Sequence, residues 1–290
     1  MAAMNSPLRV RSLTVADLAF ADSVRALAGW NQTFDDWHRF LAADPEDCFL
    51  AEWNGAPAGT ATTTFYAPEL AWIGMVLVHP DYRRRGIARA LLQRCIEYLR
   101  GRGARCIKLD ATPLGKQVYD ELGFKDEWTL TRWECAKFQP LPSAHDPRVR
   151  GWREADARKI EPFDSQAFGA CREGIVQALA RQSRRALALE DADGSLAGYG
   201  LMRNGSQALY LGPVAATSAD GALQLIRGLL ARGDDERIFW DIPDPNHLAA
   251  NFAQQHGFTA QRALTRMYLG ENAAPGDARK QFALAGPELG

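Results

Sequence analysis

The 290-residue chain predicts a mixed α/β fold built twice in tandem. Three observations carry that reading. First, the chain repeats itself. "VRSLTVAD" (10–17) answers "VRGWREAD" (149–156), "GAPAG" (55–59) answers "GSLAG" (194–198), and "IGMV" (73–76) answers "LGPV" (211–214). "IKLD" (107–110) pairs with "IFWD" (238–241), "LGF" (122–124) with "HGF" (256–258), and "LTR" (130–132) with "LTR" (264–266). Matches in one order, at offsets of about 131 to 139 residues, mark a duplicated unit. Second, each copy opens on short strands joined by tight turns and closes through a strand–helix–strand unit. Third, "ECAKFQPLPSAHDPRVR" (134–150) carries Pro140, Pro142 and Pro147 without apolar period, as a linker does. The expected division is a first unit over 1–137, a linker over 138–148, a second unit over 149–271 and a tail over 272–290.

The elements of the first unit follow in order. A strand over 8–13 leads to a helix near 15–28. A second helix, 33–42, starts at Thr33, whose hydroxyl suits a helix N-terminus. Strands at 47–53 and 58–66 flank the turn "NGAP". A third strand spans 71–78. The helix 87–100 sets Ile87, Leu91, Cys95 and Leu99, with Ala88, Leu92 and Ile96, on one broad apolar face. "RGARCIKLD" turns into a strand at 105–110. A short helix, 114–122, stops at Gly123, a residue suited to the left-handed turn after a helix. A strand at 126–135 is expected to close the unit. Each unit is thus a largely antiparallel sheet with a central parallel pair, flanked by helices. In the tail, "QFALAG" reads as a short closing strand or as a frayed end.

Composition excludes several function classes. Net charge is −1, so no global field favours nucleic acid or an anionic membrane. No apolar run approaches the ~18 residues of a membrane span, and the opening residues lack a signal-peptide pattern. A cytoplasmic location is expected. The cysteines at 48, 95, 106, 135 and 171 show no CxxC and read as reduced thiols. The histidines have no metal-ligand spacing, so no metal is expected.

The most pointed stretch is "VLVHPDYRRRGIARALL" (76–92). Three adjacent arginines and a glycine join an apolar strand to an apolar helix. A helix N-terminus has unpaired N–H groups and partial positive charge, so it attracts anions. Gly86 lets a ligand approach the backbone closely, Ala88 is small, and Arg83, Arg84 and Arg85 add forked donors suited to phosphate. The combination is a pyrophosphate cradle; a solvated turn capped by glycine is the plain alternative. Neither GxxxxGK[ST] nor GxGxxG is present.

Here the sequence resembles a known family. Arg83-x-x-Gly86-x-Ala88, after a strand ending Val-x-Pro, is similar to the acyl-CoA motif of the GCN5-related N-acetyltransferases (GNAT). "VYDELGF" (118–124) resembles the second signature of that family, about 30 residues further on. The chain resembles a tandem pair of such domains. The resemblance implies that acetyl-CoA binds with its pyrophosphate on the backbone from Arg84 to Arg89, Ile87 and Ala88 included. It implies that Met75, Val76, Leu77 and Val78 pair with the pantetheine arm and offer an N–H to the thioester oxygen. Tyr119 sits where the family often has the acid that protonates the departing thiolate; a packing role is the alternative. Asp110 and Thr112 stand where many relatives have an asparagine. Asp110 either orders the acceptor or caps the turn, and the base is open between Glu52 and Asp110.

The second copy has "AATSADGALQLI" in place of the arginine loop and Phe252 at or beside the position of Tyr119. It is expected to be a degenerate GNAT-like domain that folds without binding coenzyme A. "AGWNQTFDDW" (28–37) lies in the region that forms part of the acceptor side in the family. Trp30, Asn31 and Gln32 there are candidate acceptor ligands, with Trp30 also readable as core. The acidic residues Asp35, Asp36, Asp44, Glu46 and Asp47 favour a cationic amine. The expected reaction is transfer of an acetyl group from acetyl-CoA to the amine of a small molecule in a ternary complex. A non-catalytic coenzyme A sensor and a protein N-terminal or lysine acetyltransferase are the alternatives, in a monomer or homodimer.

Overall fold

The computed structural model describes residues 7–44, 46–66, 69–139, 146–231 and 236–290. In the first half, β1 (Leu8–Ser12) leads to α1 (Leu18–Leu27) and α2 (Phe34–Ala43). Then come β2 (Cys48–Trp53), β3 (Ala56–Tyr66), β4 (Leu70–Val78), α3 (Ile87–Gly101), β5 (Cys106–Ala111), α4 (Pro113–Glu121) and β6 (Lys125–Phe138). The second half repeats the order: β7 (Val149–Gly151), α5 (Glu161–Phe168), α6 (Glu173–Gln182), β8 (Ser183–Glu190), β9 (Leu196–Arg203), β10 (Leu209–Ala216), α7 (Ala219–Leu230), β11 (Glu236–Pro243), α8 (His247–Gln255) and β12 (Thr259–Gly270). β13 (Gln281–Ala283) follows in the tail. Of the expected linker 138–148, residues 140–145 lie outside the described residues.

All strands join one sheet in the order β1-β2-β3-β4-β5-β12-β6-β11-β10-β9-β8-β7, with β13 against β10. Only β4–β5 and β10–β11 are parallel among the pairs described. One expectation is corrected here. Residues 125–138 do not close their own half. β6 pairs with β11 of the second half, and β12 pairs with β5 of the first. The two strands are exchanged and meet each other at the centre, where Leu130 opposes Leu264. The repeated "LTR" segments therefore straddle a pseudo-twofold axis.

The local signals that made these elements are visible. Thr33 precedes α2, and its N–H donates to the Asp36 carboxylate at 2.6 Å. α3 buries Ile87, Leu91, Leu92, Cys95, Ile96 and Leu99, the apolar stripe that its spacing predicts. Gly123 follows α4 with φ +88°, in the left-handed region that glycine tolerates. The repeated V-R-x4-A-D becomes a repeated ion pair. Arg11 meets Asp17 at 2.8 Å, and Arg150 meets Asp156 at 2.7 Å.

Three layers result. α3 and α4 cover one face of the first half, and α7 and α8 cover the same face of the second. On the other face, α1, α2, α5 and α6 share one core that includes Trp37, Phe40, Phe163, Val176 and Leu201. The tail is neither frayed nor peripheral. Residues 281–286 and 288–290 are buried. Tyr66 Oη donates to the Leu289 carbonyl at 2.8 Å, and Trp72 Nε1 to that of Pro287 at 2.9 Å. Arg172 donates to the Gly290 oxygen at 3.0 Å.

Candidate active site

The site begins as a defect in the sheet. β4 pairs with β5 only over Leu70–Trp72, although both strands run further. Beyond Trp72 they splay. On its other edge β4 carries a bulge: the register with β3 steps from Thr62↔Gly74 to Thr60↔Leu77. Met75 and Val76 thus oppose the single residue Ala61, and Met75 takes φ +49°. A bulge re-aims backbone groups, and the splay leaves those of the outer part of β4 without a partner on β5. The Met75 carbonyl is taken by Thr60 Oγ1 at 3.0 Å.

A cavity of about 740 Å³ opens at this gap. It is lined from the α3/α4 face by Arg83, Arg84, Gly86, Ala88, Arg89 and Tyr119, and by Val76 to Val78 of β4. From the opposite face it is lined by Trp30, Gln32, Leu264, Arg262 and Pro287. Its lining thus comes from elements on both faces of the sheet.

Beside α3 the cavity is lined by Arg83, Arg84 and Arg89. Arg84 and Gly86 have φ +61° and +78°, left-handed conformations of the kind found in anion-binding nests. Gly86 stands at the N-terminal boundary of α3, where no side chain accepts from the helix, and a Cβ there would meet nothing within 4 Å. Arginines border this turn, and the space beside Gly86 is open. Arg85 departs from the expectation. Its guanidinium stacks over Trp53 at 5.1 Å and Tyr82 at 5.6 Å, away from the cavity. Arg89 reaches across to Glu121 at 2.8 Å and links α3 to α4. Met75 contributes backbone only, since its side chain lies in the core.

Tyr119 lies on α4 beside the gap and is nearly buried. Its ring packs edge-on to Phe124 at 6.0 Å. Among the described residues its hydroxyl has no hydrogen-bond partner. Burial pushes the phenol above its ordinary value, with Cys95 a lesser cause, so it is protonated at neutral pH. Gly115 keeps the hydroxyl accessible: a Cβ there would come within 3.4 Å of it.

Asp110 and Asn31 line up differently from expectation. Asp110 is buried and held by Arg266 through two bonds of 2.8 and 2.9 Å. Burial pushes its pKa up against the pull of Arg266. A carboxylate locked in that pair is a poor acceptor ligand or base. Asn31 spends its amide on the second half, donating to the Ala208 carbonyl and accepting from the N–H groups of Gln207 and Ala208. It fastens a loop rather than facing the cavity. Glu52 is paired with Arg11 at 2.8 Å and does not line the cavity. Two members of the acidic cluster are paired as well, Asp36 with Arg39 at 2.7 Å and Asp44 with Arg102. Gln32 lines the cavity: Nε2 donates to Glu288 at 2.6 Å, and the buried Oε1 has no partner among the described residues. Arg262, Leu264, Pro287 and Glu288 were invisible to local pattern, because β12 and the tail reach the first half only through the exchange.

The equivalent gap in the second half is closed. β10 and β11 pair over Leu209–Leu211 and Ile238–Trp240. β13 then runs along β10, and the Leu284 N–H bonds the Asp241 carbonyl of β11 at 3.0 Å. The chain fills its own cleft with a strand. Pro213 replaces Met75 of the first half and has no N–H to offer. α7 is capped by Ser218, whose Oγ accepts from the Gly221 N–H at 3.2 Å, and a Cβ on Gly221 would lie 2.4 Å from Leu189.

Family models match both halves: an acetyltransferase (GNAT) family model over residues 16–124 and an acetyltransferase (GNAT) domain model over 160–283. The chain is 33% identical over 179 residues to an uncharacterized N-acetyltransferase of Bacillus subtilis, covering 62% of each chain and so less than two thirds of that relative. Its fold superposes with a TM-score of 0.84 on a protein from Pyrococcus horikoshii assigned as an acetyltransferase, at 24% identity over 99% of this chain and 98% of that one. A tandem GNAT protein from the clavulanic acid biosynthesis pathway gives a TM-score of 0.65 at 16% identity, over 91% and 98% of the two chains. At these identities the two structures speak to the fold. The chain belongs to the GCN5-related N-acetyltransferase family and carries two of its domains in tandem.

Proposed function

We propose that the protein transfers an acetyl group from acetyl-CoA to the amine of a small molecule, at one site per chain in the first half. The observation that carries this reading is the cavity lined from both faces of the sheet. Arg83, Arg84, Gly86 and Arg89 line it on the α3 side, β4 beyond its pairing with β5 lies next to them, and Trp30, Gln32 and Arg262 line it from the far face. The Arg84–Arg89 turn would hold the coenzyme A pyrophosphate. The free edge of β4 would pair with the pantetheine arm as an added strand does. An N–H at the Met75–Val76 bulge would stabilise the charge that develops on the thioester oxygen.

The amine would enter from the Trp30 and Gln32 side, where Gln32 Oε1 can accept one of its N–H groups. As the C–N bond forms and the C–S bond breaks, Tyr119 gives its proton to the departing sulfur. Burial holds that phenol above its ordinary value, so it is protonated when the thiolate departs, and the transfer requires the hydroxyl to lie close against the sulfur. No cysteine lines the cavity, which supports direct transfer over an acyl-enzyme. Both acidic residues that line it, Asp110 and Glu121, are held by arginines, so the amine releases its proton to water.

The test is thiol release from acetyl-CoA against a panel of amines, with the mass of each product. Tyr119→Phe should lower kcat on the order of a hundredfold while calorimetry still finds one acetyl-CoA per chain at unchanged affinity. Acetyl-CoA that binds without thiol release to any amine would make the chain a non-catalytic binding module.

A further inference from the structure

The lining of the cavity includes a charge that has no partner among the described residues. On β12, Arg262, Leu264 and Arg266 alternate onto the same face, and Arg132 of β6 stands directly across from Arg262. Two of these three arginines are neutralised in the same manner. Arg132 grips Asp241 through bonds of 2.7 and 2.6 Å, and Arg266 grips Asp110. Among the described residues Arg262 forms no ion pair or hydrogen bond, and its Nε is buried with no partner. Burial and the Arg132 charge beside it pull its pKa down to about 10. Such a group is costly to keep, and it lines the cavity.

The pseudo-twofold axis shows that the fold does not require an arginine there. Leu130 and Leu264 face each other across the axis, so position 262 corresponds to position 128. That residue is Trp128, which lies over the Arg266 guanidinium at 4.2 Å. Trp128 borders the half whose cleft β13 fills. Arg262 borders the half whose cleft is open. The symmetric arrangement stacks an aromatic ring on the paired arginine, whereas the site side sets a second cation beside one. Like charges at that spacing become favourable when an anion joins them.

We propose that the acceptor is an amine that also carries an oxyanion group, a carboxylate or a phosphate, and that Arg262 grips this group in the cavity. The inference rests on the acetyltransferase reading and narrows it. Gln32 Oε1 receives the amine, Arg262 receives the acid, and Trp30 and Leu264 supply apolar wall between them. Arg262 is a specificity-determining residue and takes no part in bond making.

The experiment compares amino acids, their carboxamides and aminoalkyl phosphates as acceptors, for wild type, R262Q and R262K. Binding of the same amines to the protein saturated with coenzyme A is measured by calorimetry. Wild type should prefer the acid to its carboxamide, and R262Q should erase that preference by raising KM for the acid about tenfold to a hundredfold. R262K should restore part of it. The phosphate arm separates the two oxyanion sources. Equal use of acids and carboxamides by wild type overturns the inference and leaves the enzyme reading intact. So does a fall in acetyl-CoA affinity in R262Q, which would assign the arginine to the other ligand. Arg262-dependent binding of acids without turnover would instead uphold the inference and sink the enzyme reading; no binding and no turnover of any acid would overturn it.

Discussion

Asp47 illustrates how burial alone gives a residue its behaviour. It sits at the start of β2 with a thiol neighbour, Cys48, whose Sγ lies 3.2 Å from Oδ1. Burial pushes its carboxyl up from 3.8 to about 7. Between those values the folded protein keeps a proton that the unfolded chain has lost. Stability therefore falls as pH rises from about 4 to about 7 and is level above that. Asp47→Asn keeps the shape of the protonated acid and removes the titration. The variant should melt higher than wild type at pH 8, by a gain of a few kcal/mol at most, and match it near pH 4. An unchanged difference between the two pH values would contradict the assignment. Single residues were legible where chemistry is local: Gly123 announced its left-handed turn, and Thr33 announced a helix start. Asp110 and Asn31 were not, because their partners are Arg266 and Ala208, far along the chain.

At the scale of elements, the same strand–loop–helix was built twice and put to two uses. In the first half a glycine boundary leaves the start of α3 open and β4 splays from β5. In the second half Ser218 caps α7 and β13 occupies the gap. The arginine loop and its loss in the repeat were plain in the sequence. The plugging strand was not, since "QFA" is too short to declare its partner. The tail also shapes the open half. A Cβ on Gly74 would lie 2.7 Å from the Glu288 carbonyl and 2.9 Å from its Cα. Backbone cannot yield as a side chain can, so Gly74→Ala should push the tail off β4 and cost about 1–3 kcal/mol. Limited proteolysis should then release residues beyond Ala283 faster than from wild type. Cleavage at the wild-type rate with unchanged Tm would refute that contact.

The whole molecule is held by exchange. β6 completes the second half and β12 the first, and each carries its arginine to the aspartate of the other half: Arg132 to Asp241, Arg266 to Asp110. Removing one member of such a buried pair costs about 3–5 kcal/mol. A fragment of residues 1–137 should therefore lack a partner for Asp110 and an edge for β5. It should be expanded and aggregation-prone by circular dichroism and size exclusion, and recover when co-expressed with residues 146–290. A monomeric fragment with native circular dichroism would disprove the interdependence.

The sequence by itself determined the elements, the duplication, the cradle at Arg84–Arg89 and its loss in the second copy. Those rest on periodicity, glycine and charge, which act over a few residues. Only the tertiary structure decided which strand closes which half, where the tail lies and that Arg262 lines the cavity without a partner among the described residues. Strand pairing is chosen by complementary faces across distant segments, and equivalent strands of a duplicated unit offer nearly the same face to either partner.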